Sequence, residues 1–301
     1  MFRSSKGNTQ PWPTKGATLA ARNIPATGAA NVLPRIGELN PAPARAAIRE
    51  VFLRHVIGGK RLSRGPRFAR LVRGATPDVV LSAVELLADS SAGTVDGDLL
   101  VVDVGGATTD VYSAVRPDAE RTAGPAREVA GTLWRARTVE GDLGVRWSAP
   151  GVVAAARADK LLDDASAARL APAAADRAAD PALVPRSPDD DLRLATLAAT
   201  VALRRHARGE SRGAGEPRRG GRDLSGVRLA VGSGGVLRHA PGERARGVLA
   251  EALRDSAGGW PLPDRARVRV DAAYVLAAAG LLAHDHPEAA VALMRVHLYD
   301  E

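Results

Sequence analysis

Apolar positions recur along the chain with two different periods. From Asn40 to about residue 57, Ile48, Val51, Phe52 and His55 fall on one face of a 3.6-residue repeat, with Asn40 as N-cap and Pro41 at the first helical position. A second helix is predicted from Thr76-Pro77-Asp78 to Ala88, with Val80, Val84 and Leu87 together. The run LLVVDV, Leu99 to Val104, is unbroken, rich in β-branched residues and bounded by glycines, which predicts a buried strand. Gly105-Gly106-Ala107 then turns into the alternating TTDVYSAV, a strand, glycine turn, strand unit. Val152 to about Leu170 reads as an alanine-rich helix limited by Asp163-Asp164 and Pro172, with 172–188 as a connection. Leu192 to His206 is a further helix, carrying Leu194, Leu197, Val201 and Arg205 on one stripe.

After a polar stretch, VRLAV predicts a second buried strand ending in Gly232-Ser233-Gly234-Gly235, and Pro241-Gly242 leads into a helix to about Arg254. ARVRV is a third strand. AAYVLAAAGLLA is a small-residue helix that lets a neighbouring backbone come close, and Pro287 opens a last helix, Glu288 to Leu298, with Val291, Met294 and Val296 for packing. Strands alternating with helices predict a layered α/β or α+β domain.

Composition narrows the function classes. The 301 residues suffice for one large or two small domains, and the absence of cysteine excludes disulfides, thiolate catalysis, Cys-ligated zinc and iron–sulfur clusters. No apolar run approaches the roughly 20 residues of a bilayer span, and Met1 to Lys15 has no apolar segment of the secretory kind, so a cytoplasmic protein without a membrane partner is expected. The net charge of +8 raises the question of nucleic acid. Lysine occurs only at positions 6, 15, 60 and 160, and the arginines are dispersed through an Ala-, Gly- and Pro-rich chain, so compositional bias is the simpler explanation. A basic nucleic-acid-binding protein remains an alternative. Residues 1–15 read as a disordered arm, and the Gly- and charge-rich 208–222 as a mobile surface loop.

Chemistry concentrates at the two glycine turns. A strand ending in Asp103, followed by Gly105, Gly106, Thr108 and Thr109, offers backbone N–H groups and hydroxyls to an anion beside a carboxylate that could hold a hydrated Mg²⁺. An ordinary hairpin with a polar tip is the competing reading, and Asp110 could simply cap it. Gly232, Ser233, Gly234 and Gly235 follow another apolar strand, so that a nucleotide could lie between the two turns. Glu140 and Asp142 flank Gly141 and could share a cation or position a water; an Asp/Gly turn with solvated charges is the alternative. The six histidines have no metal-binding spacing, and no serine sits in a nucleophile elbow.

These segments also carry a resemblance. Asp103-Val-Gly-Gly-Ala-Thr-Thr-Asp110 resembles the second phosphate motif of the actin, sugar-kinase and Hsp70 ATPase superfamily, and Gly232-Ser-Gly-Gly235 resembles its adenosine motif. NVLPRIGELNPAPARAAIREVFLRHVI, VVDVGGATTDVYS, RTVEGDLGVRWS, AVGSGGVL and DAAYVLAAAGLLAHDHPEAA together resemble the MutL/GlmL proteins associated with cobalamin-dependent glutamate mutase, which are distinct from the mismatch-repair protein of the same name. The resemblance runs from about Thr18 to Leu298.

It implies a ribonuclease H-like, actin-like ATPase fold, with 96–301 as the C-terminal lobe and 16–95 as a helical remainder of the first lobe or an insertion. The family's first phosphate motif, an Asp-Gly-Ser/Thr hairpin, has no counterpart before Asp103. The chain is therefore expected to be an incomplete two-lobed ATPase with additional helices, in which hydrolysis is doubtful. The implied function is an accessory, reactivase-like chaperone for a cobalamin-dependent mutase, with ATP and Mg²⁺ as its own cofactors and cobalamin in the partner mutase. Asp103 then matches the metal- or water-orienting carboxylate, Gly105, Gly106, Thr108 and Thr109 the phosphate turn, Gly232, Ser233, Gly234 and Gly235 the adenosine side, and Glu140 a second functional acid. A non-hydrolysing interaction module of the same fold is the alternative.

Overall fold

Because Leu99–Val104 is apolar at nearly every position, it can be stable only with both faces covered, and it forms the central strand of a five-stranded sheet. The computed structural model describes residues 17–35, 38, 40–52, 54, 76–90, 98–116, 135–209, 221–257, 259–260 and 262–299. The expected arm 1–15 and most of the expected loop 208–222 lie outside them.

The contacts divide the chain into two units. One comprises Met1–Ala75 with Ala123–Thr132, and the other Thr76–Thr122 with Leu133–Glu301. In the first, α1 (Ala42–Phe52) buries none of its residues, and Ile48 is 69% exposed. Every other named helix and strand belongs to the second unit. This includes α2 (Thr76–Ser90), which groups with the sheet.

In that unit β1 (Leu99–Val104), β2 (Thr109–Ala114) and β3 (Arg135–Glu140) form an antiparallel meander. On the other edge of β1, β4 (Leu229–Ser233) and then β5 (Arg267–Val270) pair in parallel, giving the order β3-β2-β1-β4-β5. Alternation along β1 sorts its side chains into two cores. Leu100, Val102 and Val104 join a core with α3 (Ala149–Ala158), α4 (Asp164–Ala179), α5 (Asp189–Arg208) and α7 (Gly242–Leu253). Leu99 and Val101 join Tyr112, Leu229 and Val231 in a core with α2, α8 (Val275–Leu282) and α9 (Pro287–Leu298). A single turn, α6 (Gly235–Arg238), follows β4. This is a mixed α/β architecture.

α5 is buried almost all round, from Leu192 to Ala207, as a helix laid across the sheet must be. Its His206 is held between strands, its Nε2 2.8 Å from Ser113 Oγ on β2 and its Nδ1 3.0 Å from Thr138 Oγ1 on β3. Arg204 places a fork on Asp255 at 2.6 and 2.7 Å and donates to the Asp159 carbonyl at 2.8 Å, tying α5 to the ends of α7 and α3.

Three expectations change. The helix expected from 152 to 170 is two helices, broken where Lys160 takes a left-handed φ of 58° and Asp163 caps the next helix by accepting from Ser166 N at 2.7 Å. That second helix continues through Pro172 to Ala179, so the expected connection begins later. The proline removes one backbone donor, but Leu170, Ala174 and Arg177 on the same helix are buried and hold it in place. In α9 the buried stripe is Ala290, Met294 and Leu298, spaced by four, while Val296 is 59% exposed. The small-residue helix behaves as expected: a Cβ on Gly280 would lie 1.9 Å from the Val79 carbonyl oxygen, so α8 and α2 touch backbone to backbone there.

Candidate functional site

Parallel pairing of β1 and β4 brings both glycine turns to one edge of the sheet, with Asp103 and Ser233 opposite one another in register. The Ser233 hydroxyl lies close enough to favour the charged form of the Asp103 carboxylate. Burial raises the Asp103 carboxyl to about 6, with further upward pushes from Asp110 and Asp271; the Ser233 hydroxyl and Arg137 oppose them. Asp110 is the cross-strand partner of Asp103 and is itself held by Arg137 at 2.6 and 2.9 Å. Gly234 follows with φ 105°, a conformation that suits glycine. A Cβ there would lie 2.2 Å from the Val104 carbonyl oxygen and 3.0 Å from Asp103 Oδ1, so the second turn presses directly on the end of β1.

The first turn closes with Gly105 N donating to Thr108 O at 2.9 Å. Its outer carbonyls are taken by the segment after β3: Val145 N donates to Gly105 O at 3.0 Å, Arg146 N to Gly106 O at 2.8 Å, and Ser148 Oγ to Ala107 O at 2.8 Å. Gly144 makes this docking possible, since a Cβ on it would sit 2.3 Å from the Ala107 carbonyl carbon. The N–H groups of Gly106, Ala107 and Thr108, by contrast, have no acceptor among the described residues. Three consecutive free N–H groups beside a carboxylate form a concavity suited to an anion and its counter-cation.

Not every candidate faces that concavity. Thr109 is fully buried and its hydroxyl donates to the Leu143 carbonyl, which ties the turn to the interior. The Thr108 hydroxyl donates to Asp110 at 3.1 Å, leaving its N–H as the group available to a ligand. Gly232 is buried in β4, where a Cβ would crowd Leu237 Cδ1 at 2.8 Å, so it serves close packing. Glu140 and Asp142 converge, but on Arg205: the guanidinium is 2.7 Å from Glu140 Oε2 and 2.7 and 2.9 Å from the two Asp142 oxygens. The Arg205 hydrogen bonds hold the Asp142 carboxyl below its ordinary range. The cation that this acid pair would attract is supplied by the chain itself. Among the described residues no group of three or more His, Cys, Asp and Glu could hold a metal.

A cavity of about 470 Å³ opens where the turns meet. Val104 and Gly106 border it from the first turn and Gly235, Val236, His239 and Ala240 from the second. Strand alternation sends Val104 to this side and Asp103 to the other face, so the side-chain-free backbone of the turns separates the two. The opposite wall includes Arg146 and Asp191, which sequence reasoning missed. Asp191 is one of three acids opening α5, and the only legible signal was its spacing from Leu194 and Ala195, which puts it on the buried side.

One carboxylate with a neighbouring hydroxyl is a donor set for a magnesium ion that keeps most of its water and shares phosphate oxygens. The free N–H groups suit those oxygens, so the residues present fit a Mg²⁺-nucleotide.

The comparisons agree with the resemblance to the MutL family. The family model described as MutL protein matches residues 6–298. The chain is 34% identical over 285 residues to Protein MutL of Clostridium tetanomorphum, covering 89% of this chain and 60% of that protein's length. No solved structure matches. No helix among the described residues is long and apolar enough to cross a membrane. With matched residues running from before the first helix to the end of the last, the chain belongs to the MutL protein family.

Proposed function

We propose that the chain binds ATP with Mg²⁺ at the two glycine turns and serves as an accessory, reactivase-like protein of a cobalamin-dependent mutase of the glutamate mutase type. The fold would be that of an actin-like ATPase lobe. The carrying observation is the row of unengaged N–H groups at Gly106, Ala107 and Thr108 beside Asp103. In this reading the N–H groups bind phosphate oxygens, and Asp103, oriented by Ser233, holds water of the metal's shell. Gly234 and Gly235 let the ribose and base side approach the backbone. The magnesium supplies charge neutralisation of the phosphates. Membership of the MutL family supports the partner, and because the chain spans 60% of its relative's length the partner and activity of the whole are part of the proposal.

Glu140 and Asp142, locked on Arg205, favour binding without turnover as a second reading, since neither acid is left to activate a water. A thermal-shift titration with ATP and Mg²⁺ tests the site. Saturation at a hundredfold excess over Kd should add about 3 kcal/mol of stability, and Asp103→Ala should abolish the shift. A wild-type melting temperature indifferent to ATP rejects the site. Co-elution with the mutase subunits, with and without ATP, tests the partner, and a steady-state ATPase rate abolished by Asp103→Ala would reject the second reading.

A further inference from the structure

The cavity beside the turns carries an ionic triad with an odd charge. Asp191, only 6% exposed, is contacted by two arginines: Arg177, 3% exposed on α4, reaches Oδ1, and Arg146 reaches Oδ2 at 2.8 Å. Arg177 also donates to the Ala173 carbonyl at 2.7 Å. One carboxylate facing two guanidinium groups leaves a surplus positive charge. Arg177 lies within the protein, whereas Arg146 borders the cavity together with Gly106 and Gly235.

Arg146 is held rather than loose. Its backbone N–H is bonded to Gly106, its Nη1 donates to the Val145 carbonyl at 2.9 Å, and its Nη2 is held by Asp191. A guanidinium has five N–H donors, and here two side-chain hydrogen bonds engage it among the described residues. The Arg177–Asp191 pair is already neutral by itself, so the second guanidinium is not needed to compensate the buried acid. A fixed, incompletely satisfied cation lining a cavity with valine, proline and leucine walls is a group prepared for an anion.

We infer that Arg146 is a phosphate-binding residue of the nucleotide site, gripping a phosphate oxygen from the cavity side while Asp103 stands on the opposite side of the turns. This rests on the ATP reading above and deepens it: the site is polarised, acid on one face of the glycine backbone and guanidinium on the other. A metal-bound polyphosphate matches that polarity, and a neutral nucleoside does not.

Calorimetric titration of wild type, Arg146→Met and Arg146→Lys with ATP·Mg²⁺ and with adenosine tests this. Arg146→Met should weaken ATP binding ten- to a hundredfold and leave adenosine binding within twofold, because the neutral Arg177–Asp191 pair persists. Arg146→Lys, which keeps the charge but loses the fork, should fall between the two. ATP affinity unchanged in both variants overturns the role of Arg146 and leaves the ATP site standing. Equal loss of ATP and adenosine also overturns it, assigning Arg146 to the shape of the cavity. Failure of the wild type to bind either compound overturns both.

Discussion

His206 shows how one residue converts burial into a pH dependence. Burial, with the charge of Arg222 adding to it, lowers its protonation to about 4 from an ordinary 6.5, and its two ring nitrogens are spent on Ser113 and Thr138. Between those two values the unfolded chain carries the proton and the folded one does not. Stability is therefore complete above about pH 6.5 and falls as the pH drops towards 4, by about 3 kcal/mol in total from this residue. Denaturant titrations at pH 7 and pH 4.5 should show the loss, and His206→Gln should flatten that part of the profile. A wild-type slope retained in the variant would assign the loss to other groups. Asp103 and Arg205 lie at opposite ends of legibility. The acid at a strand end announces itself in six consecutive letters, whereas the partner of Glu140 and Asp142 lies more than sixty residues away and no local pattern points to it.

Among the elements, four of the five strands and the glycine turns were legible because their pattern is local: LLVVDV and VRLAV need only their own composition to be recognised, whereas β3, RARTVE, is half-buried, carries no apolar run and went unpredicted. Helix ends were harder. Pro172 is a strong local stop, overridden by burial of Leu170, Ala174 and Arg177, which is tertiary information. The docking of Gly144 under the first turn, and with it the free N–H row, depends on contacts between residues some forty positions apart. The same holds for Arg204, whose fork on Asp255 links α5 with the end of α7; the two side chains are 8% and 10% exposed. Arg204→Ala leaves that carboxylate buried without its partner and should cost about 3–5 kcal/mol. A urea midpoint unchanged from wild type would show that the fork contributes little. Arg193→Ala, which removes an exposed pair with Glu251, should cost less than about 1 kcal/mol.

For the whole molecule, several of the basic residues in the sheet unit are engaged by acids. Arg137, Arg177, Arg204 and Arg205 each bond a carboxylate there, so these guanidinium groups are not available to track a phosphate backbone. Fluorescence anisotropy with duplex DNA or single-stranded RNA at about 150 mM salt should therefore show no binding; a micromolar Kd with a steep salt slope would revive the nucleic-acid reading.

The strand order has a consequence for how the chain is made. β1 finds its antiparallel neighbour within a few residues, but its parallel neighbour β4 is synthesised well over a hundred residues later. Until then LLVVDV presents an open, apolar edge to the crowded space outside the ribosome, the kind of edge that recruits a second nascent chain. Yield on expression should thus be governed by whatever shields that strand during the wait, and slower elongation between the two would lengthen the hazard.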